Sequence, residues 1–241
     1  MSKEASKLRE RWKREGIWDR YFTDGAKILD VGCGNDLIHP TARGYDQADG
    51  DGVTLTGVDS ASMDLVVSSH FLEHAYDPGL ALRNQWRVLK PGGFMITVVP
   101  EEDLYEQGIW PSVFNTDHKF TYTAHKSESW SPVSRNLVDL LRELPNHKLI
   151  SLRTIDTGYD YTLPMTVDQT DTSPAEAAVE SIMQKDPPII PFISRELLEA
   201  FLCPKCRRMA LNVTGIMKNK HFHAWCRDCG TMVEITSNVV A

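Results

Sequence analysis

Several things are scarce or missing in this chain of 241 residues, and each absence narrows its class. No apolar run approaches the roughly 20 residues of a helical membrane span. The first 21 residues have no apolar core of the kind a secretory signal needs, so a cytoplasmic protein is expected. Cysteine is limited to five residues, an odd number for a disulfide framework, and four of them fall in two Cys-x-x-Cys pairs near the C-terminus. That usage points to a reducing compartment and to metal binding. Basic charge is short in the middle. Of 26 Lys/Arg and 33 Asp/Glu, residues 1–21 and 194–241 each take seven basic and four acidic, leaving twelve basic against 25 acidic between them. A long nucleic-acid track needs a basic surface, which the acidic centre does not offer. There is no internal repeat and no low-complexity tract. With 41% hydrophobic and 24% charged residues, the chain can build one sizeable core and a small appendage.

What is present alternates. Residues 5–21 read as an amphipathic helix carrying Leu8, Trp12 and Trp18. Strands are expected at Lys27–Val31, up to Tyr45-Asp46, at Asp64–Ser69 and at Phe94–Val99, the last closed by Pro100. Asp77-Pro78 is a helix start, Asp as N-cap and Pro at the first helical position, and Pro91-Gly92-Gly93 stops that helix after about Leu89. Apolar strands alternating with helices predict a parallel sheet covered on both faces. Glu101 to Trp130 is too long for a simple connection and reads as a functional or lid-like loop. Further on, 134–144 resembles a helix and 148–155 a strand. Ser173-Pro174-Ala175-Glu176 reads as a capping box opening a helix to about Lys185. Pro187, Pro188 and Pro191 mark a linker, and Ser194 to Phe201 a short helix. The expected domains are 1–186, a linker with a short helix over 187–201, and 202–241.

Ile28-Leu29-Asp30-Val31 runs straight into Gly32-Cys33-Gly34. Glycines at a strand's carboxyl end let backbone approach a ligand closely, at the place where doubly wound sheets bind one. The dinucleotide pattern G-x-G-x-x-G fails, because Leu37 stands at its third glycine. A positively charged adenosyl sulfonium ligand, which has no phosphate, suits Asp30 beneath the turn and a neighbouring carboxylate.

The turn resembles motif I of class I S-adenosylmethionine-dependent methyltransferases. Ser62 to His74 resembles their fourth strand and its following loop, and Arg87-Val88-Leu89-Lys90-Pro91-Gly92-Gly93 the turn before their fifth strand. The resemblance covers roughly residues 26–100. It implies an α/β fold, a Rossmann-like doubly wound and mostly parallel sheet, in an enzyme that uses S-adenosylmethionine as cofactor. It further implies that Gly32, Cys33 and Gly34 surround the methionine part, that Asp46 holds the ribose hydroxyls, that Asp51 faces the adenine amino group, and that Ser69 and His70 border the methyl donor. Only four residues separate Asp46 from Asp51, where the family has a helix and a strand. A shortened sheet edge explains this, and leaves open how Asp46, Asp49 and Asp51 divide their roles.

Ser68-Ser69-His70-Phe71 lacks the Pro-Pro-aromatic motif with which methyltransferases of nucleobase amines shape their slot. A hydroxyl acceptor needs a proton removed, which suits histidine. His118 is the first candidate for that catalytic base, His70 the second, with His74 a helical turn from His70. The acidic, aromatic run from Pro100 to Ser112 is a reasonable sugar surface. Asp103 to Lys119 resembles bacterial methyltransferases of polysaccharide biosynthesis. The expected acceptor is therefore a sugar or other small molecule.

Cys203-Pro204-Lys205-Cys206 and Cys226-Arg227-Asp228-Cys229 are spaced as two knuckles of one tetrahedral Zn2+ site, and four thiolates leave no open position for catalysis. With short alternating runs such as Ala210–Val213 and Met232–Ile235, the tail resembles a zinc ribbon with a structural ion. Its basic residues, with Phe222 and Trp225, leave open that it binds RNA or DNA. Two alternatives thus stand beside sugar methylation: a nucleic-acid-modifying methyltransferase, and a non-catalytic cofactor-binding module.

Overall fold

A computed structural model describes residues 4–172 and 175–186, together with the backbone of three strands at 211–216, 221–226 and 232–236. The chain divides into two compact units, Met1–Pro188 and Ile189–Ala241.

The first unit carries strands β1 (Ile28–Val31), β2 (Arg43–Tyr45), β3 (Met63–Ser69), β4 (Leu89–Pro100), β5 (Thr121–Thr123), β6 (Ser134–Asn136), β7 (His147–Ile155) and β8 (Ala178–Lys185). Its helices are α1 (Glu4–Arg14), α2 (Ile17–Tyr21), α3 (Pro78–Val88), α4 (Leu137–Arg142) and α5 (Gln169–Thr172). Six strands form the main sheet in the order β2-β1-β3-β4-β8-β7. The first four run parallel, and β8 pairs antiparallel with both β4 and β7. β5 and β6 form a separate parallel pair.

Strand periodicity of two sorts the buried side chains onto opposite faces. Val66, Met95, Val99, Val179 and Met183 pack with Leu82 and Trp86 of α3 and Leu137 and Leu141 of α4. Leu65, Val67, Ile96, Val98 and Ile182 pack with Leu8 and Trp12 of α1 and with Tyr21. Each large apolar side chain moved out of water contributes about 1.5–3 kcal/mol, so both helical layers are held mainly by burial. The α3 start is as expected: the Asp77 side chain accepts from the Leu80 N–H at 2.8 Å, with Pro78 at the first position. Gly16, at φ 72°, breaks the expected N-terminal helix into α1 and α2.

Four expectations are corrected. The helix expected from the capping box to Lys185 is strand β8; Ser173 and Pro174 themselves lie outside the described residues. Ala, Glu, Met and Gln favour a helix, but Ala178 to Met183 are buried on both sides between β4 and β7, and tertiary burial overrides propensity. The helix expected over 134–144 is confined to Leu137–Arg142 and capped by Asn136, whose side chain accepts from the Val138 N–H at 2.9 Å; Ser134–Asn136 is the strand β6. Pro91-Gly92-Gly93 lies inside β4, which already begins at Leu89. Finally, Glu101 to Trp130, expected as one long functional or lid-like loop, contains regular structure. It holds a π-helical turn over Glu102–Glu106 and β5, and Tyr122 is fully buried with its hydroxyl donating to the Leu72 carbonyl at 3.0 Å. The expected short sheet edge is present: residues 46–62 run as turns between β2, the edge strand, and β3.

In the second unit, β9 (Leu211–Ile216), β10 (His221–Cys226) and β11 (Met232–Thr236) form an antiparallel sheet with β10 central. β9 and β11 coincide with the two alternating runs. Cys203, Cys206, Cys229 and the side chain of Cys226 lie outside the described residues, as do most of the linker and the helix expected at Ser194–Phe201.

Candidate active site

The glycine turn sits where β1 ends. Gly32 takes φ 74° and donates its N–H to the Tyr45 carbonyl of β2 at 2.9 Å. A Cβ on Gly32 would stand 2.9 Å from Phe71, so both conformation and space demand glycine there. Gly34, at φ 53°, faces open space. This turn and the end of β3 wall a cavity of about 580 Å3, lined by Asp30, Gly32, Cys33, Gly34, Ser69 and His70 among others. Glu4 of α1 and Asp36 add acidic groups to the same wall. The volume lies within the usual range of small-molecule sites. Acidic walls with a bare glycine backbone fit a cationic adenosyl ligand, and Asp30, Gly32, Gly34, Ser69 and His70 are the residues that would hold it.

Asp30 lies beneath the turn as expected. Its carboxylate accepts from the Ile38 N–H at 2.7 Å, and burial pushes its pKa up to about 6. Burial also pushes the Cys33 thiol up to about 11, so it remains protonated near neutral pH and is no nucleophile. Asp46 does not line the cavity, but its Oδ2 accepts from the Gly34 N–H at 2.7 Å, tying the end of β2 to the turn. Asp49 in turn accepts from the Asp46 N–H at 3.0 Å. Asp51 is further removed: it accepts from the Val53 N–H and from the Tyr76 hydroxyl, both at 2.9 Å.

His70 follows the last residue of β3 with φ 52°, a left-handed conformation that a side chain adopts at some cost and that concentrates at functional positions. Its N–H is held by the Val98 carbonyl at 2.9 Å. Its Nδ1 lies 3.4 Å from Glu73 Oε1, and its Nε2 lies 3.7 Å from Glu4 Oε2. Burial lowers the His70 pKa, but the carboxylates of Glu73 and Glu4 together offset it and the net direction is upward.

Behind His70 the structure collects the other two histidines. The His74 Nδ1 is 2.9 Å from Asp117 Oδ2, and the His118 Nδ1 is 2.6 Å from Glu106 Oε1. The two rings meet edge to face at 5.0 Å between centroids. His118 and Glu106 are buried, and His118 does not line the cavity. Sequence reasoning placed all three histidines near the site but passed over Glu73 and Glu106. The available signal for Glu73 was its spacing, three residues after His70 and adjacent to His74, which a sharp turn after a strand brings to one place.

Residues 38–97 match the model of a methyltransferase domain family. No curated protein matches the chain. Among solved structures, the complex of a methyltransferase activator with a methyltransferase from Haloferax volcanii aligns at 14% identity, covering 78% of this chain and 99% of that one, with a TM-score of 0.46. A SAM-dependent methyltransferase from Thermotoga maritima aligns at 14% identity, covering 75% and 99%, with a TM-score of 0.44. One from Archaeoglobus fulgidus aligns at 16% identity, covering 75% and 94%, with a TM-score of 0.47. The chain carries a Rossmann-like methyltransferase domain, and it is an enzyme of the S-adenosylmethionine-dependent methyltransferase class. The non-catalytic alternative is thereby set aside. Among the described residues, no helix is long and apolar enough to cross a membrane.

Proposed function

We propose that the enzyme methylates a hydroxyl group, on a sugar or another small molecule. The observation that carries this reading is His70, a histidine placed at the wall of the cavity by a left-handed backbone and backed by a buried carboxylate. S-adenosylmethionine, when bound, supplies an electrophilic methyl group on a positively charged sulfur. His70, at the cavity wall, would take up the proton that the acceptor hydroxyl gives up as it receives that methyl group. Glu73, on the Nδ1 side of His70, keeps that ring oriented and favours its charged form. The order of the two candidate bases is thus reversed relative to the sequence reading: His70 borders the cavity, and His118 stands behind it.

The finer assignments belong to the same proposal. Asp30, Gly32, Cys33, Gly34 and Ser69 surround the donor, Asp46 serves its ribose, and Asp51 its adenine end. The tail from residue 202 is a zinc ribbon with a structural ion held by Cys203, Cys206, Cys226 and Cys229, and the protein works in the cytoplasm. Transfer of labelled methyl from S-adenosylmethionine to a panel of sugar nucleotides, oligosaccharides, RNA and DNA tests the acceptor. Label in a sugar hydroxyl supports the reading. Label confined to nucleic acid overturns it and favours a ribbon that grips RNA or DNA. Substituting His70→Ala should lower turnover on the order of a hundredfold or more, well beyond any loss of affinity for the demethylated cofactor. Full turnover in that variant removes His70 as the base.

A further inference from the structure

Glu73 is fully buried; His70 Nδ1 approaches its Oε1 only to 3.4 Å, and among the described residues neither carboxylate oxygen has a hydrogen-bond partner. Buried polar groups are almost always satisfied, and a bare carboxylate away from water is strongly disfavoured. Its surroundings are specific. One ligand atom from each of Glu73, His74 and His118 lies within 4.8 Å of the others. Both imidazoles are already held at Nδ1 by a carboxylate, His74 by Asp117 and His118 by Glu106. When Nδ1–H donates to a carboxylate, the neutral ring keeps its lone pair on Nε2. A carboxylate on one ring nitrogen with the other nitrogen free is the arrangement by which proteins orient histidine ligands to metals. Glu106 Oε2 is also buried without a partner, and among the described residues no Lys or Arg is hydrogen-bonded to Glu73 or Glu106, so negative charge accumulates here.

We propose that Glu73, His74 and His118 form a binding site for one divalent transition-metal ion, oriented by Asp117 and Glu106. Two imidazoles and a carboxylate are the donor set of ions such as Zn2+, Mn2+, Fe2+ and Co2+, and three protein ligands leave positions for oxygen. The ion would supply the missing partner of Glu73. Its bearing on catalysis rests on the hydroxyl-transfer reading above: the ion, bound to Glu73 behind the cavity wall, would fix the carboxylate that lies 3.4 Å from His70 Nδ1 and so position that base. His118 then acts through the ion and not as the base.

Manganese paramagnetic resonance on the full chain tests the site directly, because the hard Mn2+ ion disfavours the thiolates of the tail. The metal-stripped protein should silence the free Mn2+ signal at one ion per chain, and added Zn2+ should release it. Cys203→Ser should leave the stoichiometry unchanged. Glu73→Gln and His118→Ala should each weaken uptake more than tenfold, and Asp117→Asn about tenfold. Circular dichroism and binding of the demethylated cofactor establish that each variant is folded; for any that is not, His74→Ala takes its place. Mn2+ left free by wild type overturns the site, as does uptake unchanged in folded Glu73→Gln. Loss of turnover with intact Mn2+ binding in His118→Ala also overturns it and returns that residue to the part of a base. Metal uptake by an enzyme that methylates only nucleic acid keeps the site and defeats the hydroxyl reading. Hydroxyl methylation by a chain that takes up no metal does the reverse.

Discussion

Single side chains do unequal work around the glycine turn. Asp46 touches it through one hydrogen bond, from the Gly34 N–H to Oδ2, while Oδ1 accepts from the Gln47 N–H at 2.7 Å. The carboxylate therefore fixes the turn, and the ribose role proposed for it is open to a direct test. Asp46→Ala should weaken binding of S-adenosylmethionine and of its demethylated product at least tenfold by titration calorimetry, since a charged hydrogen bond is worth about 1.5–3 kcal/mol. Wild-type affinity would move the ribose to Asp49 or Asp51. Asp30 and the glycines were legible in the sequence because a strand running into glycine is a local pattern, whereas Ser69 and His70 came from the resemblance of Ser62 to His74 to a methyltransferase strand and loop. The partners of the histidines were not legible. Glu106 meets His118 across twelve residues and Asp117 meets His74 across 43, and only the packing of Tyr122 and the π-helical turn against the sheet closes those distances.

At the scale of elements, α1 is tied to β8, the antiparallel strand beside β4, and to the residue Glu176 just before it. Arg11 is buried and reaches Glu176 with Nε at 2.8 Å and Glu180 with Nη2 at 2.7 Å. Trp12 Nε1 donates to the same Glu180 at 2.6 Å, and Arg153 of β7 holds its other oxygen at 2.8 Å. This network fixes the helix that brings Glu4 to the cavity. Arg11→Ala leaves the buried Glu176 without its cation and Glu180 with Arg153 alone, a loss of about 3–5 kcal/mol. Urea unfolding should show that drop, and a change under 1 kcal/mol would mean that Leu8 and Trp12 alone dock α1. The same network explains a misreading. Glu180 and Glu176 sit in a segment with helical composition, and nothing local reveals that Glu180 answers an arginine 169 residues away. By contrast the start of α3, with Asp77 as cap and Pro78 at the first position, was legible because a cap is a local signal, while its end at Val88 is set by β4 and not by Pro91-Gly92-Gly93.

For the whole molecule, two compact units divide along a proline-marked stretch, and each has its own sheet. The second spans only residues 189–241 and has little chain with which to build a core. Small units of this size usually need a metal or disulfides for stability, and a tail with two Cys-x-x-Cys pairs has the ligands for zinc. Two metal demands are then expected of one chain, and their chemistry separates them. Elemental analysis of protein purified without added metal should find zinc that Cys203→Ser removes and Glu73→Gln does not, because thiolates select zinc where the Glu-His-His set accepts harder ions. Chelation should melt the tail, as seen in exchange of the β9 to β11 amides, while cofactor titration on the first unit stays within a few-fold, since each unit packs on its own sheet. Zinc near zero in wild type, or zinc unchanged in Cys203→Ser, would defeat the ribbon. Loss of cofactor binding on chelation, in a chain also carrying Glu73→Gln, would show that the first unit depends on the tail for its fold.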